Sequence, residues 1–304
     1  MSHEFELIDY ISQIANTQSS SIEVGIGDDC AVWNPSESQI LLATDILIEG
    51  VHFDLNQLSF EQIGRKALAV NLSDVAAMGG KPATALVSLG IPTSASTQNL
   101  KDLMNGLIAL AQEYDTVVVG GDTTSHEGPL IVNVAITGIA TRRSILRSGA
   151  AEGDSIFVTG PLGGSITGHH WSFEPRLKES DYLTSHYDIH SMIDISDGLS
   201  SDIRHITKAS SVGCVFNEHN IPISDRVAKN LHQADRLLHA FSDGEDFELL
   251  FTVSPEVGEQ LKQQREIELY EIGVMQGDAD EVLLMTRPGE IIPLPDSGWK
   301  HHFS

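Results

Sequence analysis

Apolar residues recur at helical spacing at Phe5, Ile8, Ile11 and Ile14, which predicts a short amphipathic helix over residues 4–14. Short apolar runs at 31–33 and 40–44 read as strands. A longer helical pattern covers 60–78 and stops at Gly79-Gly80, where Lys81-Pro82 prevents continuation. A strand at 83–91, a helix at 97–114 and a strand at 116–119 follow. A loop opens at Asp122-Thr123-Thr124, and 130–139 is again strand-like. This order predicts an α/β half with a mixed sheet.

The polar, glycine-bearing stretch 142–153 reads as a domain boundary, dividing the chain into 1–143 and 144–304. The pattern restarts with a strand at 156–159 and a turn carrying Gly160, Gly163 and Gly164. Such glycines either cradle phosphate at a helix start or make a plain tight turn, and their spacing favours the turn. Residues 180–190 are poorly apolar and read as a connector. Strands are predicted at 193–197, 212–216, 247–253, 268–274 and 282–285, and helices at 199–209, 224–231, 236–241 and 256–265. The expected fold class is α/β (α+β) in two domains.

Several of the apolar runs end in carboxylates. Leu41-Leu42-Ala43-Thr44-Asp45, Val117-Val118-Val119-Gly120-Gly121-Asp122 and Met192-Ile193-Asp194-Ile195-Ser196-Asp197-Gly198 do so, and Gly25-Ile26-Gly27-Asp28-Asp29-Cys30 pairs two glycines with two acids. In open α/β sheets strand ends of this kind gather along one ligand-binding edge. Helix 60–78 adds Asn71 and Asp74, three apart and so on one face. Spacing alone favours a solvated edge for that pair over inward ligands.

Charge narrows the chemistry. Asp and Glu number 43 against 18 Lys and Arg, which disfavours nucleic acid and anionic membrane as partners. Two cysteines, Cys30 and Cys214, are too few for a disulfide framework or a structural zinc site. With no signal-peptide pattern and no apolar run of membrane-spanning length, a cytoplasmic protein is expected. The phosphate-loop, dinucleotide, protein-kinase, EF-hand and H-E-x-x-H patterns are all absent. The remaining candidates are hard oxygen ligands: Asp28, Asp29, Thr44, Asp45, Asp74, Asp122, Asp194 and Asp197. Two like charges ~4 Å apart cost about 4 kcal/mol at an effective dielectric near 20. A cluster of them therefore calls for divalent cations, and magnesium with a nucleoside triphosphate suits the donor set.

Six motifs carry a resemblance to a known family: Gly25-Ile26-Gly27-Asp28-Asp29-Cys30-Ala31, Thr44-Asp45 with His52-Phe53, Lys66-Ala67-Leu68-Ala69-Val70-Asn71-Leu72-Ser73-Asp74, Gly120-Gly121-Asp122-Thr123-Thr124, Asp194-Ile195-Ser196-Asp197-Gly198-Leu199 and Gly244-Glu245-Asp246-Phe247-Glu248-Leu249. In this order they resemble the thiamine-monophosphate kinases, of the superfamily that includes aminoimidazole ribonucleotide synthetase and selenophosphate synthetase. The resemblance implies a PurM-like fold, homodimerisation through the N-terminal sheets and ATP in a cleft. It implies several Mg2+ ions on Asp29, Thr44, Asp45, Asp74, Asp122, Asp194 and Asp197, with Asp28 a neighbouring or turn residue. It places ATP against Gly121, Asp122, Arg147 and Ser196, and thiamine monophosphate against His52, Glu245 and Trp299, with Asp45 and Asp197 most critical for turnover. Without the resemblance, His52 reads as a half-buried histidine, Trp299 equally well as a core cap and Arg147 as a surface residue. Ala43 stands where relatives carry serine, Asp243 where they carry glycine, and 165–175 is shorter. Another ATP-using synthetase of the superfamily, or a non-catalytic acidic nucleotide-binding regulator, are the competing readings.

Overall fold

The computed structural model describes residues 22–24, 28–33 and 39–300. The helix expected at 4–14 and the Gly25 and Gly27 turn lie outside these residues. The first half contains β1 (Ile22–Val24), β2 (Ala31–Trp33), β3 (Ile40–Ile48), α1 (Phe60–Ala77), β4 (Gly80–Pro92), α2 (Thr97–Glu113), β5 (Val117–His126) and β6 (Ile131–Ala140). These strands form a mixed sheet ordered β1-β2-β3-β6-β4-β5, in which only β4 and β5 pair in parallel. Alternation along β3, β4 and β6 turns Leu41, Leu47, Val87, Leu89, Val132 and Val134 onto the buried face. Ile46, Leu86 and Ile139 remain exposed on the opposite face.

The second half contains β7 (Ser155–Val158), a short helix α3 (His169–Ser172), α4 (Leu177–His186), β8 (Ser191–Asp194), α5 (Leu199–Ser210), β9 (Cys214–Asn217), α6 (Gln233–Ser242), β10 (Leu249–Val253), α7 (Pro255–Gln263), β11 (Tyr270–Met275), β12 (Val282–Met285) and β13 (Ile291–Pro293). Its sheet runs β13-β12-β9-β11-β7-β10-β8. Alternation splits it between two cores. Ile156, Val158, Ile193 and Leu250 pack with α5 and α6, whereas Phe157, Met192, Leu249 and Phe251 join the core of the first sheet. The fold is therefore a two-domain α/β arrangement with α1 lying between the halves.

Helix α1 starts at a capping box in which Ser59 and Gln62 satisfy each other's backbone N–H groups. It is buried on nearly every side, and Asn71 is 0 % exposed. Asn71 and Asp74 point inward, so the expected solvated edge is wrong; α4 and β8 cover that face. Three other expectations change. Residues 177–186 are helical because Ser180 and Thr184 bury their hydroxyls on carbonyls, Ser180 on Ala76 O at 2.6 Å, and so hide the usual apolar signal. Residues 224–231 form turns and not a helix, since Val227 alone among them offers a buried apolar side chain. Asp122-Thr123-Thr124 is no loop: β5 continues through it, paired with β4 as far as His126.

Candidate active site

Four chain segments converge where the halves meet. Asp45 projects from β3 on the same side as Leu41 and Leu47, toward α1, which brings Asp74. Asp194 ends β8, and Asp28 and Asp29 precede β2. Carboxylate oxygens of Asp29, Asp74 and Asp194 all lie within 4.8 Å of one another. Ser73, next to Asp74 on α1, donates to Asp194 Oδ2 at 2.5 Å and so ties the halves together. Among the described residues Asp45 Oδ2 is buried with no hydrogen-bond partner.

One cation partly answers this charge. The Arg147 guanidinium grips Asp29 through both oxygens, Nε to Oδ2 at 3.0 Å and Nη2 to Oδ1 at 3.0 Å, while its main-chain N–H donates to Asp28 Oδ2 at 3.1 Å. A bidentate fork of this kind is the strong form of ion pair. It is not enough. Burial first and the Asp29 charge second push the Asp28 carboxyl up to about 7. Asp74 and Asp194 are held well above the usual carboxylate range, first by burial and then by the charges of Asp45 and Asp29 respectively. Asp45 is raised by burial too.

A cavity of about 280 Å³ opens beside this cluster. Asp45, His52, Ser196, Asp197, Glu245 and Trp299 line it, with Val70, Ile166 and Phe247 as apolar wall. Two hairpin-like segments build its second-half side. Asp202 accepts the backbone N–H groups of Asp197 and Gly198 at 3.1 and 3.0 Å, fixing the loop after β8. Opposite it, the backbone of Glu245 and Phe247 bonds to Ser196 and Ile195. Gly244 packs against Ser196, where an added Cβ would meet a carbonyl at 2.8 Å, and the next residue, Glu245, holds the left-handed φ of 52°. Non-glycine residues adopt that conformation only under constraint. Trp299 donates its backbone N–H to Asp197 O at 2.9 Å and is 56 % exposed where it lines the cavity, so it is no core cap.

Not every predicted residue joins. Gly121 and Asp122 line a different, 590 Å³ hollow between β5 and α2. The register runs Asp45–Val134–Val87–Gly121 across three strand steps, which puts Gly121 and Asp122 ~14 Å from Asp45 at about 4.8 Å per step. Thr44 faces away from Asp45 and donates to Val134 O at 2.9 Å. Arg147 is no ordinary surface residue, being tied to Asp28 and Asp29. The glycine turn does not cradle phosphate: Gly163 N–H is taken by Asp246 at 3.0 Å and Gly164 N–H by Asp243 at 2.6 Å.

Four contributors escaped the sequence reading. Lys66, His170, Asn133 and Asp202 bond to residues of the site or its loops, and only Lys66 left a signal, a charge four residues before Val70 and eight before Asp74 on one helical stripe.

The profile of the AIR synthase related protein N-terminal domain matches residues 27–140, and that of its C-terminal domain matches 151–285. A thiamine-monophosphate kinase of Rhodopirellula baltica is 41% identical over 249 residues, covering 79% of this chain and 78% of its own. One from Bacillus subtilis strain 168 is 36% identical over 98% of this chain and 99% of its own. The chain belongs to the thiamine-monophosphate kinase family. Among solved structures of that family, AaThiL complexed with AMPPCP and TMP superposes with a TM-score of 0.83 at 30% identity, covering 98% of this chain and 96% of that one. Membership in the kinase family gives the acidic cleft its context. Among the described residues no helix is long and apolar enough to cross a membrane.

Proposed function

We propose that this chain transfers the γ-phosphoryl group of ATP to the phosphate of thiamine monophosphate, giving thiamine diphosphate and ADP. The observation that carries the reading is the meeting of Asp45 from the first half and Asp197 from the second on one cavity with His52, Glu245 and Trp299. The acceptor is a phosphate oxygen already largely ionised near neutrality, so the chain supplies no general base. Its task is to align two polyanions in line and to keep them from repelling one another.

The donor set fits magnesium: hard carboxylate oxygens within 4.8 Å, and one buried carboxylate oxygen, Asp45 Oδ2, without a partner. Asp29, Asp45, Asp74, Asp194 and Asp197 would hold Mg2+, which when bound offsets the charge of the carboxylates and of both phosphate chains. Arg147 holds Asp28 and Asp29 in place and is within reach of the same anions. We assign Gly121, Asp122 and Ser196 to ATP; Thr44 and Asp122 stand apart from the cluster, and Asp122 would meet the nucleotide from the β5 side. His52 accepts Ile48 N–H on Nδ1 at 3.0 Å, which fixes its ring beside the cavity, and we assign it to the acceptor phosphate. Trp299 and Phe247 offer stacking faces for the thiamine rings.

We further propose a homodimer. The open face of the first sheet exposes Ile46, Leu86 and Ile139, with Val117 and Val119 exposed on the neighbouring edge strand β5, an apolar surface that a second copy would cover. A cytoplasmic location and the absence of nucleic-acid partners follow from the same reading and from the acidic charge. The domain limits are taken at 1–143 and 144–304. The test of the function is ADP release: it should require thiamine monophosphate, with thiamine diphosphate formed in equal amount. ADP formed at the same rate without the acceptor would overturn the proposal.

A further inference from the structure

The Lys66 side chain is wholly sealed from solvent, 0 % exposed, and every ammonium hydrogen has a partner. Nζ donates to His52 O at 2.8 Å, to Glu245 Oε1 at 2.7 Å and Oε2 at 3.0 Å, and lies 2.9 Å from His170 Nδ1. His170 Nδ1 is itself 3.1 Å from Glu245 Oε2. Lysine is almost never buried this far unless it is paired, because its charge must be stripped of water. Here the pairing joins three separate pieces of chain: the turn after β3, the short helix α3 and the loop before β10. Two of those pieces carry residues that line the cavity, His52 and Glu245.

The arrangement constrains Glu245 twice. Its backbone is held at a left-handed φ, and its carboxylate gives one side to Lys66. A carboxylate has about four acceptor positions, so those left over face the cavity in a fixed direction. A fixed anion is the partner for an N–H donor or a delocalised cation, and thiamine carries both, an aminopyrimidine and a thiazolium.

We propose that Lys66 is a positioning residue for the acceptor substrate: its buried ammonium sets the direction in which the Glu245 carboxylate meets thiamine monophosphate, and so governs capture of that substrate and not the phosphoryl transfer. The proposal rests on the reading of Glu245 as an acceptor contact. A buried lysine with a purely structural role would lower stability without separating the two substrates in kinetics.

Steady-state kinetics of Lys66→Met, Glu245→Gln and the double variant decide the matter. Lys66→Met should raise KM for thiamine monophosphate about tenfold or more, the scale of one charge-assisted hydrogen bond, with KM for ATP and kcat changed less than about twofold. Glu245→Gln should shift the same constant. The double variant, which removes both charges and so leaves neither buried unpaired, should match Glu245→Gln alone, because Lys66 then has nothing to orient. If Lys66→Met alone does not fold, that comparison carries the test. Wild-type KM for the acceptor in Lys66→Met, or a further rise in the double variant over Glu245→Gln, would overturn the role of Lys66 and leave the Glu245 assignment standing. An unchanged KM in Glu245→Gln would overturn both.

Discussion

Single carboxylates at the cleft face opposite demands, since holding the proposed cations requires them ionised while they are crowded and buried. Asp45 and Asp197 reach the cavity from different halves, so neither can replace the other. Asp45→Asn and Asp197→Asn should each cut kcat by about a thousandfold, the scale of lost transition-state charge stabilisation, with circular dichroism unchanged. Near-normal turnover of either at saturating magnesium would remove it from the ligand set. The sign of the pH dependence follows from the raised carboxyls. Asp28 binds its proton up to about 7 when folded but only to about 3.9 when unfolded, so folding weakens as pH rises between those values. Asp45, Asp74 and Asp194 act in the same direction. His205 and His169, held down to about 4 chiefly by burial, act with opposite sign, but their effect fades by pH ~7.5 and is outweighed by the four raised acids. Metal-free protein should therefore melt several degrees lower at pH ~8 than at ~6.5, and added Mg2+ should raise the melting point more at the higher pH. Equal shifts at both pH values would contradict the clustering. Most of these acids were legible as apolar runs ending in Asp. His170 was not, and Lys66 showed only as a charge on the stripe of Val70 and Asp74: the pairing of positions 66, 170 and 245 itself leaves no local pattern, because it depends on how the two halves dock.

At the scale of elements, glycine at 121 marks how tightly β5 lies on β4. An added Cβ there would sit 1.8 Å from Val87 O, in backbone that cannot swing away. Gly121→Ala should cost several kcal/mol of stability, about 3 or more, read by thermal or urea unfolding, with the nucleotide constants deteriorating alongside. A change under about 0.5 kcal/mol would mean the strand pair is looser than this register requires. Periodicity found nearly every described strand, since alternation is a local property. It failed where polar groups did the packing, as in Ser180 and Thr184 of α4, and where turns imitated a helix at 224–231. The burial of Asn71 and Asp74 was hidden for a related reason: on a helix wrapped on all sides, no face is left to look solvated.

For the whole molecule, the second core and the first share one continuous boundary through Phe157, Phe251 and α1, whereas among the described residues nothing covers Ile46, Leu86 and Ile139 on the outer face of the first sheet. Leu86→Glu places a charge at the middle of that face and should convert a dimer into a monomer in light scattering, with the single-chain fold intact. A dimer that survives this change would have to use another surface. No sequence pattern could separate this apolar face from a core-facing one, because both alternate alike.

Helix α1 carries Lys66 under the end proposed for the acceptor, Val70 in the cavity wall and Asp74 in the acidic cluster, one per turn. Eight residues at 1.5 Å each make this a rigid ruler of about 12 Å between ring recognition and phosphate chemistry. Its graduations cannot stretch. An acceptor whose phosphate sits one methylene farther from the thiazolium should dock with near-normal affinity and yet turn over slowly, and a single-residue insertion between 66 and 74 should swing both ends out of alignment together.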